Sequence, residues 1–262
     1  MFRVLTIFCF VCASFSLQSQ PYKINLSATQ ISQLGQLIWQ NEGQQKLQHL
    51  TSWNQAEDFP SLGLGHFIWY PTKEKGPFKE QFPELLIFFR ESGVKIPSWL
   101  EQTKLAPWQS RTQFYEEFEG EKLASLRLFL SEQVDLQAKF IIRRLEKAIP
   151  SIIATCNPAD KTVLLHNLSS LTNSVKGTFV LLDYVNFKGE GVANNERYQG
   201  QGWGLKQVLL NMPRQYDDAI RAFSFSADEV LTRRVKNAPR DEFRWLNGWR
   251  ARLYAYPQIR IE

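Results

Sequence analysis

The chain is poor in the residues that build metal and redox centres. Its three histidines, His49, His66 and His166, lie too far apart for a ligand set. Two of its three cysteines, Cys9 and Cys12, fall within residues 1–20. The sequence has no H-E-x-x-H, no G-x-S-x-G and no P-loop, so zinc proteolysis, serine hydrolysis of the α/β type and nucleotide triphosphate chemistry are not expected. No cofactor and no metal is implied. Charge of one sign is also scarce: 31 Lys and Arg face 26 Asp and Glu, a net charge of +5. No basic face interleaved with aromatics stands out, so nucleic acid is not an expected partner. A modest positive charge suits an anionic polymer such as a cell wall, although scattered solvated side chains give the same figure.

Residues 1–20, MFRVLTIFCFVCASFSLQSQ, hold an early Arg3, an apolar run from Val4 to Leu17 and then small polar residues. This is the pattern of a secretory signal peptide, with an apolar stretch too brief for a stable membrane anchor. Phe8 precedes Cys9 and Val11 precedes Cys12, where a lipoprotein site needs a small residue. The expected location is periplasmic or secreted. Removal of the segment takes away Arg3 and no acid, which lowers the charge of +5 to +4. It also leaves Cys156 alone, so no intrachain disulfide is expected and Cys9–Cys12 is not a redox motif. Residues 21–262 are enough for a domain held by its core, expected as one monomeric unit.

The stretch from Leu37 to Pro71 organises the remainder. Leu34, Leu37 and Ile38 recur at helical spacing, and the pattern stops at Asn41-Glu42-Gly43. Gly43 suits a left-handed cap. A carboxylate at a helix C-terminus faces the negative end of the macrodipole, and Ile38 and Trp39 add desolvation, so Glu42 is a candidate general acid. A hairpin reading follows, with His49 to Trp53 as one strand, Gln55 to Asp58 as the turn and Phe59 to Leu64 returning. It ends on Ser61-Leu62-Gly63-Leu64-Gly65-His66, where alternating glycines let backbone pass close to a ligand or another element.

Helix-Glu, a short hairpin and Ser-x-Gly-x-Gly-His together resemble the phage-type lysozymes of the lysozyme-like superfamily. The resemblance places Glu42 on the family's catalytic acid, Ser61 on its active-site Thr, and Gly63, Gly65 and His66 on its Gly-x-Gly-His. The interval from Glu42 to His66 is longer than the family's, so the second acidic residue has several counterparts in range. These are Asp58, taken first, then Glu57, Asn54 and Thr51.

The resemblance returns from Phe179, where an apolar helix ends in Val185-Asn186-Phe187-Lys188-Gly189-Glu190-Gly191 and a Leu-rich helix follows. It ends at Arg244-Trp245-Leu246-Asn247-Gly248-Trp249-Arg250-Ala251-Arg252, which is similar to the family's C-terminal Leu-x-Gly-Leu-x-x-Arg-Arg. Gly202-Trp203-Gly204-Leu205-Lys206-Gln207 also resembles a segment of soluble lytic transglycosylases, for which Glu190 stands near the acid's offset. With Glu42 kept as the acid, Asn186, Glu190, Arg197, Tyr198 and Gln201 become groove residues with the hydrogen-bonding groups that sugars need. Asp217 to Phe223 and Ala227 to Val235 read as further helices.

Between these segments, residues 72–158 read as a helical insertion punctuated by Pro71, Gly76-Pro77, Pro83, Pro97 and Pro107. Glu84–Glu91, Lys122–Glu132 and Asp135–Ala148 are its helices, with Arg143, Arg144 and Lys147 on a face read as solvated. Trp99 and Trp108 are assigned to the core rather than to a sugar groove.

The expected fold is α+β and mainly helical: a lysozyme-like core with one small antiparallel β-hairpin and a helical insertion. The resemblance implies a peptidoglycan glycosidase cleaving a β-1,4-linked amino-sugar glycan. Glu42 would be the acid, Asp58 the second group and Ser61 the residue that positions water, with His66 bracing the hairpin. Two alternatives stand beside it: a lytic transglycosylase on the same polymer, and a lysozyme-like protein that binds cell wall without cleaving it.

Overall fold

The computed structural model describes residues 22–76, 78–194 and 196–260, so the segment read as a signal peptide lies outside the described residues. From the N-terminal side, α1 (Ala28–Gly43) leads through a 3-10 turn (Leu47–Leu50) into a three-stranded antiparallel sheet. Its strands are β1 (Thr51–Ser52), β2 (Ser61–Leu62) and β3 (Phe67–Ile68), in the order β1-β2-β3. Helices α2 (Phe82–Glu91), α3 (Ser98–Glu101), α4 (Arg111–Glu116), α5 (Glu121–Glu132) and α6 (Val134–Ala154) follow. Then come α7 (Pro158–Thr172), α8 (Val175–Lys188) and a small hairpin of β4 (Arg197–Tyr198) and β5 (Gln201–Gly202). Helices α9 (Leu205–Asn211), α10 (Ala219–Asn237) and α11 (Phe243–Ala255) complete the fold. No helix among the described residues is long and apolar enough to cross a membrane.

The helices begin where the sequence offers caps. Ser27 accepts from the Gln30 amide and the Gln30 side chain accepts from the Ser27 amide, a reciprocal box that starts α1 ahead of its apolar run. Asn157 and Asp218 cap α7 and α10 in the same way, by accepting from amides of the first turn. Helix α8 is apolar on nearly every face, with Phe179, Val180, Leu181 and Leu182 all buried. A helix of that kind belongs in the centre of a core. It touches α1, α6, α7, α9 and α10.

Helix α6 is the long element, at 21 residues. It packs along α1 and also touches α2 and α8. Its approach to α1 is close because Gly35 has no side chain: a Cβ there would stand 2.8 Å from Val134 Cγ1. The helices expected in residues 72–158 are therefore present, but α6 at least is core rather than annex. One hydrophobic cluster joins Leu34 and Leu62 to Phe89, Ile141, Leu181 and Leu231 across that boundary.

Several local expectations are corrected. His49 and Leu50 lie in the 3-10 turn rather than in a strand, and the expected single hairpin is a three-stranded sheet with a second hairpin elsewhere. Gly43 is the last residue of α1, and the left-handed cap falls on Gln44, with φ 50°. Asp217–Phe223 and Ala227–Val235 are not two helices. Residues 219–237 run through as α10, where the Ser224 hydroxyl donates to the Ile220 carbonyl and so takes a helical partner. Trp108 is fully buried, as its assignment to the core requires.

Because the core crosses both edges of residues 72–158, limited proteolysis of the full chain is expected to yield no stable fragment made of that block alone. Recovery of such a fragment with native-like circular dichroism would overturn the shared-core description.

Candidate active-site cleft

The last turn of α1, the Leu64–His66 loop, α6, α8 and the end of α11 meet around a cleft of about 700 Å³. Glu42 enters it from α1. Its Oε1 accepts from Arg252 Nη2 at 2.9 Å, and its Oε2 lies 3.9 Å from His66 Nε2. The helix-end position foreseen for Glu42 thus carries a cation that the macrodipole picture omits.

Arg252 is shared. Its Nε donates to Asp183 Oδ2 at 2.8 Å, and its Nη2 donates to Asp183 Oδ1 as well as to Glu42. The Tyr256 hydroxyl donates to Asp183 Oδ2. Asp183 sits on α8 and is buried, so its charge requires these donors. Burial penalises the Arg252 guanidinium, but hydrogen bonds and charge from Asp183, then charge from Glu42, outweigh it and raise its proton affinity. Burial, then the Asp183 charge, likewise pushes the Tyr256 hydroxyl well above its ordinary range, so it stays a donor. With Asp183 engaged on both oxygens, Glu42 Oε2 is the carboxylate oxygen of this trio that remains for a ligand.

The opposite wall of the cleft includes Gly189, Glu190 and Glu196. This loop is pinned from several sides. Leu205 and Lys206 of α9 donate their amides to the Gly189 and Glu190 carbonyls, and Gly191 donates its amide to Glu196 Oε2 at 2.6 Å. The Glu190 carboxyl is pushed above its ordinary value, first by burial and then by Glu196, while Arg144 and Lys79 pull the other way.

Behind the cleft lies a stack of cations and rings. Lys188 Nζ is 3.4 Å from the Trp249 ring centre and 3.9 Å from that of Phe187, and Arg252 also lies over Phe187. Burial, then the neighbouring Arg234, pushes the Lys188 ammonium down to about 7, against the pull of Glu242. The two ring faces favour the charged form as well.

The loop that carries His66 is held by a fully buried side chain, Gln137 of α6. Its Oε1 accepts from the Leu64 amide at 2.9 Å and its Nε2 donates to the Leu130 carbonyl at 2.7 Å. Gly63 passes directly beneath it with φ +71°, and a Cβ there would meet Gln137 Oε1 at 2.3 Å. His66 itself adopts φ 47°, and its side chain is 46 % exposed. It stands beside Glu42 instead of bracing the sheet. His49 is the structural histidine: its Nδ1 pairs with the Gly43 carbonyl at 2.8 Å and ties down the end of α1.

Of the residues expected at the site, Glu42, Gly65, His66, Asn186 and Glu190 line the cleft together. Gly63 is beside it. Asp58 is exposed on the β1–β2 connection, and Ser61 is buried in β2 opposite Ser52 and Ile68; neither lines the cleft. Arg197 and Tyr198 face elsewhere: Arg197 donates to the Val192 carbonyl and Tyr198 to Glu242 Oε1. Gln201 is exposed on β5. Sequence reading did not place Asp183, Arg252, Tyr256, Arg144 or Gln137 at the site. Asp183 carried a usable signal, because a lone acid in the run Phe179–Val185 must find a partner. Among the described residues no group of His, Cys, Asp and Glu could hold a metal ion.

Two outcomes are expected. Gln137→Leu leaves the Leu64 amide without its partner, while the Leu130 carbonyl keeps the Gln133 amide; an orphaned buried group costs about 1–3 kcal/mol, which denaturant unfolding will measure. The Glu190 carboxyl, raised in the fold, contributes stability below the ordinary Glu range that is lost as pH rises through the raised value. Unfolding free energies from about pH 4 to about pH 8 should therefore fall less steeply for Glu190→Gln than for wild type.

Compared with protein-family models, curated proteins and solved structures, the chain matches none.

Proposed function

We propose that this cleft cleaves a β-1,4-linked amino-sugar glycan, most reasonably peptidoglycan, outside the cytoplasm, on a lysozyme-like core. Glu42 is the general acid of this reading. The observation that carries it is the asymmetry of the Glu42 carboxylate: Oε1 is held by Arg252 and Oε2 is turned to the cleft beside His66. A carboxyl fixed at one oxygen and presented at the other suits proton delivery to a glycosidic oxygen, which develops in the transition state. The cavity's mixed polar and apolar walls are consistent with a sugar chain. Asp58 lies off the cleft wall, so the second carboxylate of this reading is better sought in Glu190 across the cleft. A lytic transglycosylase needs no water-activating partner at all.

A second reading exchanges the roles. The Glu190 carboxyl is held toward its protonated form by burial, whereas Glu42 faces a guanidinium. In that reading Glu190 gives the proton and Glu42 stabilises the oxocarbenium-like state.

Purified protein incubated with sacculi separates these. With Glu42 as the acid, Glu42→Gln is expected to lose about 10²–10⁴-fold of the rate, the usual contribution of general acid catalysis. Mass spectrometry of the fragments distinguishes hydrated ends, from a hydrolase, from 1,6-anhydro ends, from a transglycosylase. A loss of about 10²–10⁴-fold in Glu190→Gln with a smaller but clear loss in Glu42→Gln would establish the second reading. Sacculus binding without fragment release, over a broad pH range, would leave a cell-wall binding protein.

A further inference from the structure

The cleft does not end at Glu190. A second cavity of about 420 Å³ opens between α2 and α6. The two share one wall, made by Ile141, Arg144, Leu182, Val185, Asn186 and Glu190. Arg144 therefore looks into both. It was read from sequence as part of a solvated face with Arg143 and Lys147. Those two are exposed, but Arg144 is largely covered.

Its surroundings are unusual for a covered guanidinium. Among the described residues Arg144 has no hydrogen bond and no ion pair at contact distance, although the acids around it are charged partners of others. Glu84 is taken by Lys79 at 2.9 Å, and Glu91 by Arg143 at 3.6 Å. Glu190, which shares its wall, is pushed toward its neutral form by burial and by Glu196. Burial likewise lowers the proton affinity of Arg144, with only the more distant charges of Glu84 and Glu190 in opposition. Arginine stays charged even so, which leaves a cation with five donors facing an open groove.

Desolvating a charge without a partner costs free energy, and a planar carboxylate is the group that recovers it best, through paired N–H···O bonds. Of the other cations that line the second cavity, Lys79 and Arg143 are offset by Glu84 and Glu91, and Lys147 adds positive charge there. We infer that Arg144 is a specificity residue that receives a carboxylate borne on the glycan, seated where the two cavities join. The groove's substrate class is then an acidic amino-sugar polymer, not a neutral one. This rests on the glycan reading of the cleft. The carboxylate has two possible sources: an ether-linked acid on the sugar itself, or the acid groups of a short peptide attached to it.

Calorimetric titration of the full chain with three oligosaccharides of equal length tests the assignment. One is neutral β-1,4-linked N-acetylglucosamine, one alternates it with the lactyl-ether acid of that sugar, and one carries short peptides on those lactyl groups. Wild type is expected to bind at least one acidic oligomer about tenfold or more tightly than the neutral one, and the better of the two identifies the source. In Arg144→Gln the acidic and neutral affinities should converge, and in Arg144→Lys, which keeps the charge without the fork, only part of the preference should remain. Thermal melts of both variants establish that they are folded. Wild-type affinities that are equal for all three oligomers, or a preference that survives in folded Arg144→Gln, would overturn the role of Arg144 while leaving the glycan groove standing. Failure of wild type to bind any of the three would overturn the groove reading and this inference with it.

Discussion

The cleft depends on one shared cation. Arg252 reaches from α11 to Asp183 on α8 and to Glu42 on α1, so three elements distant in sequence are tied at a single guanidinium. Asp183 supplies the constraint. It is an acid inside a largely buried apolar helix, and the side chain is only 3 % exposed. Such a charge is tolerated only when its lone pairs are filled, which Arg252 and the Tyr256 hydroxyl do. The Glu42 side of the same guanidinium is more open, so water screens it more strongly. The trio therefore has a fixed interior half and a responsive half at the cleft.

Around it the fold holds the other walls still. Gln137 fastens the His66 loop to α6, His49 fastens the end of α1, and α9 donates amides to the loop that carries Glu190. Each is a side chain or helix terminus hydrogen-bonded to a backbone group of the neighbouring segment. The backbone of these walls is thereby tied to the core by hydrogen bonds. Its wall residues on α8, such as Leu182 and Phe187, continue the apolar core outward.

What could be read from sequence followed from local pattern. The apolar spacing in residues 84–91, 122–132 and 135–148 locates α2 and α5 to within two residues and the start of α6 to within one, but misses the last six residues of α6, which continue through Pro150. Glu42, Gly65 and His66 are found because they lie in one short segment. The strands were harder, since each is two residues long and offers no alternation to count. Asp58 is three positions from Ser61 in sequence, yet the β1–β2 connection carries it away from the cleft; nearness along a loop is no guide to facing direction. Asp183 and Arg252 are visible as residues but not as a pair, because their meeting is decided by how α11 is carried on α10 in the assembled fold. Arg144 was misjudged for a related reason: helical spacing tells which side chains share a face, and only the position of α2 and α8 shows that this face is covered.

The ion pair between Glu42 and Arg252 closes a separation of 210 residues. Bringing such distant positions together carries a loop-closure cost in entropy, met only as the intervening core assembles. A chain still emerging from its ribosome presents Glu42 long before its guanidinium arrives. Completion of the cleft is thus timed by α11, so the order of synthesis itself keeps the site unassembled until that helix has docked.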